Sequence, residues 1–344
     1  MGPLTDSTVI PPAVTNYFDR RLLKRTLPQL CFMRVAQRRP LSQRSGTTIV
    51  FRRFERLALT LAPLVEGIAP TGQQMSKTDI TATIVQHGNF IEVTDFVKAV
   101  VESPMLNEAS TLLAEQAAQV LDILMRNEAN AGTNVFFGGG VALRSSLANR
   151  THMVDTAILD RVIRDLENSN ATYFTSMIDA SVKYNTFQIR PAYWGIVHPD
   201  IVFTLQELPG WISVEQYAGK GEVMEMEVGA YKNIRFLATT QQGGGTSGGP
   251  IPDAGGAISG ADVKSTSGTL ADVYQTTIFA TDAIAAVPLD GMSLQNIIKP
   301  VGSAGSMDPL DQRGTTGWKY TGTRKRLNEA FLRRMETTAG NLEP

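Results

Sequence analysis

The chain contains one cysteine, Cys31, among 344 residues. A single thiol excludes a disulfide within the chain and any zinc site built from several cysteines. We therefore predict that Cys31 is a buried apolar side chain. No apolar stretch approaches the roughly 18 to 20 residues that a membrane-spanning helix needs, and the first residues lack the basic start and apolar core of a secretory leader. The sequence thus predicts neither a membrane span nor export.

Motifs for metal binding and phosphate binding are missing as well. The three histidines, His87, His152 and His198, are far apart, and none belongs to an HExxH spacing, so we predict structural roles for them. No GxxxxGK phosphate loop occurs. Glu225 and Glu227 alternate on a predicted strand and are interpreted as its solvated face. The sequence offers no positive support for enzyme chemistry and predicts no cofactor.

A glycine-rich segment, residues 243–268, has nine glycines and no aromatic residue. Its glycines match the GxGxxG spacing of dinucleotide-binding loops, but prolines follow where the phosphate-binding helix should begin. It also contains a nucleophile-elbow pattern around Ser247, but no histidine follows in the order that such hydrolases need. We interpret the segment as a flexible surface insertion.

The net charge of −1 conceals two opposed regions. Residues 1–56 have 11 basic and three acidic residues, a balance of +8, which leaves 21 basic and 30 acidic residues, or −9, for 57–344. Such an asymmetry is typical of a segment that binds an acidic partner, either nucleic acid or another subunit. Hydrophobic residues make up 42% of the chain, which excludes a wholly disordered protein.

Residues 1–46 are predicted to form an arm, because five prolines interrupt any long helix and no strand pattern appears. One short amphipathic helix is predicted over 16–27. Its apolar face includes Phe18 and Leu22, and its basic residues are Arg20, Arg21, Lys24 and Arg25. Nucleic-acid binding would need aromatic side chains that stack on bases or a known binding module, whereas Tyr17 and Phe18 are interpreted as the apolar face of the helix, so subunit docking is favoured over DNA binding.

Two β patterns follow the arm, over 47–54 and over 80–85 continuing through 89–93. We interpret them as partners in a long hairpin, with a tip between them that contains Gly67, Pro70 and Gly72. An isolated hairpin is marginally stable in water, so this one is expected to pack on another copy. Its charged candidates for contacts between subunits are Arg52, Arg53, Glu66 and Lys77.

The remainder predicts an α+β fold. Apolar periodicity predicts a long helix over 105–130 and a second one after Asp155. Shorter strand patterns occupy 193–197, 211–214, 222–228, 234–238 and 276–280, and the tail, including 324–335, is predicted to return as strands.

Short sequence tags, in order along most of the chain, resemble the major capsid proteins of tailed bacteriophages with the Hong Kong 97-type fold, and most of all the branch related to the coliphage N-four shell protein. The tags are Tyr17-Phe-Asp-Arg-Arg-Leu-Leu23, Gly46-Thr-Thr-Ile-Val-Phe-Arg-Arg-Phe54, Glu66-Gly-Ile-Ala-Pro70, Ile80-Thr-Ala-Thr-Ile84, Gly132-Thr-Asn-Val135, Val197-His-Pro-Asp200 and Gly317-Trp-Lys319.

The resemblance implies a division of the chain into an N-terminal arm and three further parts. The parts are the arm (1–46), an extension loop (47–93), a peripheral domain (94–192 and 301–344) with the 105–130 spine helix, and an axial domain (193–300) that carries the 243–268 insertion. Some relatives crosslink lysine to asparagine. Lys77 on the extension loop is a candidate for that role, although a solvated lysine is the favoured interpretation.

The resemblance also implies a function and partners. The chain is expected to form pentamers and hexamers that close into an icosahedral shell around double-stranded DNA, after assembly in the host cytoplasm. Its expected partners are further copies of itself, a portal protein, a separate scaffold protein and, in some shells, a decoration protein, with no membrane involved. The alternatives are an encapsulin-like compartment and, more remotely, a monomeric hydrolase.

Overall fold

The computed structural model describes residues 31–61, 63, 66–67, 69, 72–96, 105–176, 188–216, 224, 226–245, 248–258, 262–303 and 310–341. Several sequence predictions lie outside these residues. They are the helix over 16–27 with its contact candidates Phe18, Arg20, Arg21, Leu22, Lys24 and Arg25, and the elbow serine, Ser247.

Four helices are described, and the two longest agree with the predicted ones. They are α1 (Cys31–Val35), α2 (Met105–Asn130), α3 (Thr156–Asn168) and α4 (Pro199–Gln206). The Asp155 side chain caps α3 by accepting a hydrogen bond from the Ile158 amide at 2.8 Å. On α2 the buried row is Ala109, Leu113, Ala117 and Leu121, whereas Leu112, which the helical period predicts to face inward, is exposed.

The described strands form three sheets. The strands are β1 (Gln37–Arg38), β2 (Thr48–Phe54), β3 (Lys77–Thr83), β4 (Val85–Thr94), β5 (Val135–Phe137), β6 (Phe174–Ser176), β7 (Gln188–Val197), β8 (Trp211–Ser213), β9 (Glu227–Tyr231), β10 (Ile234–Ala238), β11 (Tyr274–Phe279), β12 (Ile284–Pro288), β13 (Leu294–Lys299), β14 (Arg313–Arg326) and β15 (Leu332–Thr337). Two pair as an isolated hairpin, β2–β3; five form a sheet around β14; and eight form the largest sheet.

The five-stranded sheet is built around β14, whose 14 residues pair with β4 on one side and with β13 and β12 on the other. The short β1 extends it through β12. Helix α2 packs on one face, where Leu113, Ala117 and Leu121 contact Trp318 and Tyr320. This layer therefore joins four distant parts of the sequence.

The eight-stranded sheet has the order β5-β15-β11-β7-β10-β9-β8, with β6 also paired to β7. Its central strands are almost wholly buried. The apolar face of α3 packs against one side, through Ile158, Leu159, Val162, Ile163 and Leu166. Those five residues are the ones that the helical period predicts to face inward.

The predicted hairpin is correct in its first part and wrong in its second. β2 pairs with β3 from Thr48↔Thr83 to Phe54↔Lys77. After Ile84, however, the chain leaves the hairpin, and β4 pairs with β14 over ten residues. The long β14 ladder, together with the burial of Val93 in the body, stabilises this arrangement more than continued pairing at a solvated hairpin would.

Sheet membership cuts across the boundaries predicted between domains. Strands β12 and β13, placed in the axial domain by sequence, belong to the five-stranded sheet with α2. Helix α3 and β15, placed in the peripheral domain, pack on or belong to the eight-stranded sheet. The resemblance gave these parts as continuous ranges of the chain, and periodicity does not report which distant strands pair across them.

The glycine-rich segment is not a flexible insertion, because its described residues are packed against the body. Gly255 and Gly256 hydrogen-bond to Ala271 and Leu147, and Val263 is buried and bridges to Gly340. From α2, the Arg126 guanidinium donates to the carbonyls of Gln241 and Gly245, both at 2.8 Å. The glycines are needed for close approach between backbones, which the sequence pattern does not distinguish from flexibility.

Gly255→Ala tests this packing. A Cβ at this position would clash with the carbonyl oxygen of Leu147 and lie close to that of Ala271, so we expect the free energy of unfolding to fall by about 1–3 kcal/mol. Urea unfolding followed by circular dichroism measures it. Gly72→Ala is the matched control, because nothing lies within 4 Å of a Cβ there. Equal stability of the two variants would contradict the packing argument.

Glu227 also differs from its prediction as a solvated side chain. Its carboxylate is fully buried and accepts two hydrogen bonds from Arg235, at 2.6 and 2.8 Å. The reason is that the strand begins at Glu227, after a left-handed residue at Met226, so the alternation predicted from residue 222 does not apply. Glu225 lies outside the described residues.

Candidate assembly surface

The β2–β3 hairpin extends from the body with nearly all of its side chains exposed. Arg52 lies directly opposite Asp79 and donates from Nε to Oδ1 at 2.8 Å. Lys77 adds a contact to Asp79 at 3.1 Å. The hydrogen bond from Arg52 holds the pKa of the Asp79 carboxyl below its ordinary value. These solvated pairs fix the register of the hairpin while contributing little to stability.

A second polar cluster lies where the hairpin opens into its loop. The Glu55 carboxylate accepts hydrogen bonds from the Thr78 hydroxyl at 2.6 Å and from Arg53 at 3.0 Å. The bond from Thr78, and then that from Arg53, lowers the pKa of Glu55. Further along, the Gln73 amide donates to the Ala58 carbonyl at 3.0 Å. Side-chain bonds thus hold the two sides of the loop together beyond the strands.

The loop also carries aliphatic side chains that the body does not cover. Leu59 and Leu61 are 89% and 90% exposed, and Leu57 and Met75 are also exposed. The three leucines occupy alternate positions of the chain. We call Leu57, Leu59, Leu61 and Met75 the hairpin patch. Exposed aliphatic side chains grouped on one loop are candidates for an interaction surface.

A second exposed apolar group lies on the five-stranded sheet. Phe90 on β4 and Ile297 on β13 are both directly opposite Gly317 of β14, so their side chains lie on the same face, on either side of a residue without a side chain. This face is the one opposite α2, because the neighbouring Trp318 packs on α2. We call Phe90 and Ile297 the sheet patch; both are exposed. Leu294 and Ile298 of β13 are exposed as well, but they lie opposite Tyr320 and Thr316 and therefore on the other face of the sheet.

Strand β13 is an edge strand of this sheet within the described residues, because it pairs there with β14 alone. Exposed edges that carry apolar side chains on both faces are sites where a further chain pairs or packs. Sequence reasoning missed β13. The signal was present in the adjacent Ile297 and Ile298, which lie between Gly291 and Pro300, but the run is too short to show a period.

The structure places the four described contact candidates on the hairpin and its loop. Arg52, Arg53 and Lys77 are already paired within the hairpin. Glu66 is exposed at the bend that includes Gly67. All four lie on the hairpin and its loop, three of them are paired within it, and their role as contacts between subunits stays a prediction.

Two of the three described histidines, His152 and His198, have structural hydrogen-bond partners. His152 accepts a hydrogen bond from the Ala148 amide at 2.9 Å, and His198 caps α4 by accepting from the Asp200 amide at 3.3 Å. Among the described residues, no group of three or more His, Cys, Asp or Glu side chains is placed to hold a metal ion. None of the described helices is long and apolar enough to cross a membrane.

Comparison of the whole fold with solved structures gives a consistent result. The capsid of Ralstonia phage GP4 matches with a TM-score of 0.64 at 11% identity, over 90% of this chain and 88% of that one. The head structure of Helicobacter pylori bacteriophage KHP40 matches with a TM-score of 0.57 at 11% identity, over 90% and 91%. The Cyanophage Pam1 capsid asymmetric unit matches with a TM-score of 0.55 at 11% identity, over 96% and 95%.

The chain has the fold of bacteriophage capsid proteins. No family model matches the sequence, and no curated protein matches it. The likeness is therefore one of backbone architecture that spans most of each chain. The hairpin patch and the sheet patch are two exposed apolar surfaces on this fold, and the next question is what covers them.

Proposed function

We propose that this protein is the major capsid protein of a tailed bacteriophage. The observation that carries the proposal is the capsid-protein fold over about nine-tenths of the chain, combined with a projecting hairpin whose aliphatic side chains have no cover in the single chain. Many copies would form pentamers and hexamers and close into an icosahedral shell around double-stranded DNA. The Hong Kong 97-type assignment and the relation to the coliphage N-four branch are part of the same proposal.

The proposal gives each layer a role. The five-stranded sheet with α2 corresponds to the peripheral domain with its spine helix, and the eight-stranded sheet corresponds to the axial domain. Residues 47–83 form the extension loop, which reaches a neighbouring copy. The arm docks its basic residues, Arg20, Arg21, Lys24 and Arg25, on the acidic remainder of other subunits. Portal, scaffold and decoration proteins are further proposed partners.

The hairpin patch supports this proposal because exposed leucines gain free energy only when another surface covers them. Burying one leucine contributes about 1.5–3 kcal/mol, so three per copy, repeated over a shell, stabilise an assembly made of many weak contacts. Permanent interfaces commonly exceed about 2,000 Å². A hairpin and an arm that contact several neighbours distribute such an area.

Electron microscopy of the overexpressed protein tests the function directly. We expect rings, tubes or shells. A stable species near 37 kDa that forms no larger assembly and has hydrolase activity would contradict the proposal. The contents of shells from the native source separate the two shell functions, since a genome supports the phage capsid and a cargo enzyme supports the encapsulin-like alternative.

Replacing the three leucines of the hairpin patch tests the role of the hairpin. In Leu57→Ser/Leu59→Ser/Leu61→Ser, we expect the protein concentration needed for assembly to rise at least about tenfold, because the apolar area that these side chains bury between copies is lost. Light scattering during assembly measures this concentration.

Thermal unfolding of the unassembled chain should remain unchanged in this variant, because the three side chains contact solvent there. The matched control is Leu143→Ser, an exposed leucine outside both patches, which should assemble as the wild type does. Normal assembly of the triple variant would exclude the hairpin patch from the interface.

A further inference from the structure

Helix α1 lies at the junction of the two large sheets. Its side chains Cys31, Phe32 and Val35 are buried in one apolar cluster with Met125 of α2 and Trp194 of β7, and the cluster continues to β12. Immediately after α1, β1 pairs with β12. This short helix is thus packed between α2 and both sheets.

One side chain of α2 holds the start of α1. The Asp122 carboxylate is completely buried, and its Oδ1 accepts a hydrogen bond from the Phe32 amide at 2.9 Å. The Met33 amide also stabilises the carboxylate. These amides belong to α1. Asp122 therefore binds the backbone of this helix from 90 residues away in the sequence.

The second oxygen of this carboxylate is unusual. Asp122 Oδ2 is buried and accepts no hydrogen bond from the described residues. The nearby cation, Arg126, lies one turn further along α2, and its guanidinium is bonded to Asn127 and to the carbonyls of Gln241 and Gly245. An ionised carboxylate buried with one free oxygen is costly, whereas a protonated one can keep the Phe32 bond without that cost.

The other titratable groups around this position are few. Helix α1 contributes the Cys31 thiol, which lies 3.2 Å from the Met226 sulfur, and Arg34. Beyond Trp194, the Arg235 guanidinium lies over the indole ring and is paired with Glu227. Burial raises the pKa of Asp122 to about 7. The attraction of Arg126 lowers this pKa, but by less than burial raises it.

We propose that Asp122 is a pH-sensitive latch that holds α1 in the body of the protein when protonated and loosens it when ionised. The device consists of one buried carboxyl and the short helix whose amides it binds. It rests on the geometry of the single chain and stands independently of whether the protein forms shells.

The direction of the pH effect follows from the raised pKa. The folded state favours the protonated carboxyl, so the stabilisation is complete below the ordinary pKa of aspartate and is lost as the pH rises through about 7. Release of α1 exposes Asp122 to water and restores its ordinary pKa. The equilibrium constant for release should therefore increase about tenfold between pH 6 and pH 8.

The single cysteine makes this release measurable, because Cys31 is the first residue of α1 and is buried. We expect the labelling rate of Cys31 by a thiol reagent, in the full-length unassembled chain, to increase with pH beyond the increase due to thiolate formation. Dividing the rate for the unfolded chain in denaturant by the rate for the folded chain at each pH removes that contribution. The resulting protection should fall about tenfold between pH 6 and pH 8 in the wild type.

Asp122→Asn retains the size of the side chain and cannot ionise, so its protection should be independent of pH. The matched control is Asp160→Asn, an exposed carboxylate bonded to Lys232, which should retain the wild-type dependence. The same pH dependence in the wild type and in Asp122→Asn would overturn the proposal, as would a flat profile in the wild type. If Asp122→Asn fails to fold, carbon NMR titration of Asp122 in the wild type decides, because a midpoint near 7 supports the latch and one below about 5 overturns it.

Discussion

Removal of residues 1–27 should abolish shell formation while the circular dichroism of the folded chain remains unchanged. These residues include the basic cluster around Arg21 and Arg25, and they precede Cys31, the first buried residue in the part of the chain that the structure describes. If the arm docks on acidic surfaces of neighbouring subunits, its loss removes contacts that every copy makes. Electron microscopy and circular dichroism of the same preparation measure both outcomes.

The structure sets the position of this truncation. Sequence alone places the end of the arm at residue 46, but Phe32 and Val35 are buried and β1 pairs with β12. A truncation at residue 46 would therefore remove core side chains as well as the arm and would confound unfolding with loss of docking. Intact shells from the truncation at residue 27 would contradict the role of the arm.

A charge variant separates electrostatic docking from simple shortening. Arg21→Gln/Arg25→Gln should raise the protein concentration needed for assembly, and added salt should weaken wild-type assembly in the same direction, because exposed charges are screened. Arg150→Gln/Arg164→Gln removes the same charge from exposed positions of the body and is the matched control. Equal effects of the two double variants would indicate a dependence on net charge alone.

Glu336→Ala should lower the free energy of unfolding by about 3–5 kcal/mol, since removing one member of a buried ion pair leaves its partners uncompensated. The Glu336 carboxylate is completely buried on β15. Arg144 donates to both of its oxygens at 2.6 Å, Arg334 lies at 3.0 Å, and the Gln275 amide donates at 3.1 Å. One carboxylate thus joins the turn at Arg144 to two neighbouring strands of the eight-stranded sheet.

Urea unfolding measures this loss, and its pH dependence adds a second test. Burial alone would raise the pKa of the Glu336 carboxyl. The hydrogen bond from Arg144 and the attraction of Arg334 and Arg144 outweigh burial and hold this pKa below its ordinary value. Its contribution is therefore present at neutral pH and is lost as the pH falls through the folded-state pKa, so the difference between wild type and Glu336→Ala should shrink in acid. Glu207→Ala, at an exposed position, should change stability by less than about 0.5 kcal/mol. A loss at Glu336 as small as that at Glu207 would contradict the network.

The elements that sequence predicted well are those whose signal is local. Helix α3 agrees with its pattern because Asp155 supplies the cap and five apolar residues repeat at the helical period. Strand β10 agrees with the pattern over 234–238. The tail, including the basic stretch 324–335, was predicted as strands, and strands β14 and β15 cover most of it.

The elements that sequence missed depend on partners far along the chain. Glu227 is buried because Arg235 neutralises it, the glycine-rich segment is ordered because Arg126 binds its carbonyls, and the sheet patch exists because Gly317 lies between Phe90 and Ile297. None of these facts is visible in a periodicity. The charged residues of the hairpin were identified from sequence. The exposed leucines that follow them were not, because a sequence pattern does not show which apolar side chains the folded body leaves exposed.

The direct continuation of β3 into β4 has a mechanical consequence. One residue, Ile84, separates the hairpin from a strand that is bonded to β14 over ten residue pairs. A pull on the hairpin along the strand axis therefore loads the β4–β14 hydrogen bonds in parallel, as a shear, and they must fail together instead of opening one at a time. Tension carried by the hairpin would pass through β4, which pairs with β14 alone among the described strands, directly to β14 at the centre of the five-stranded sheet.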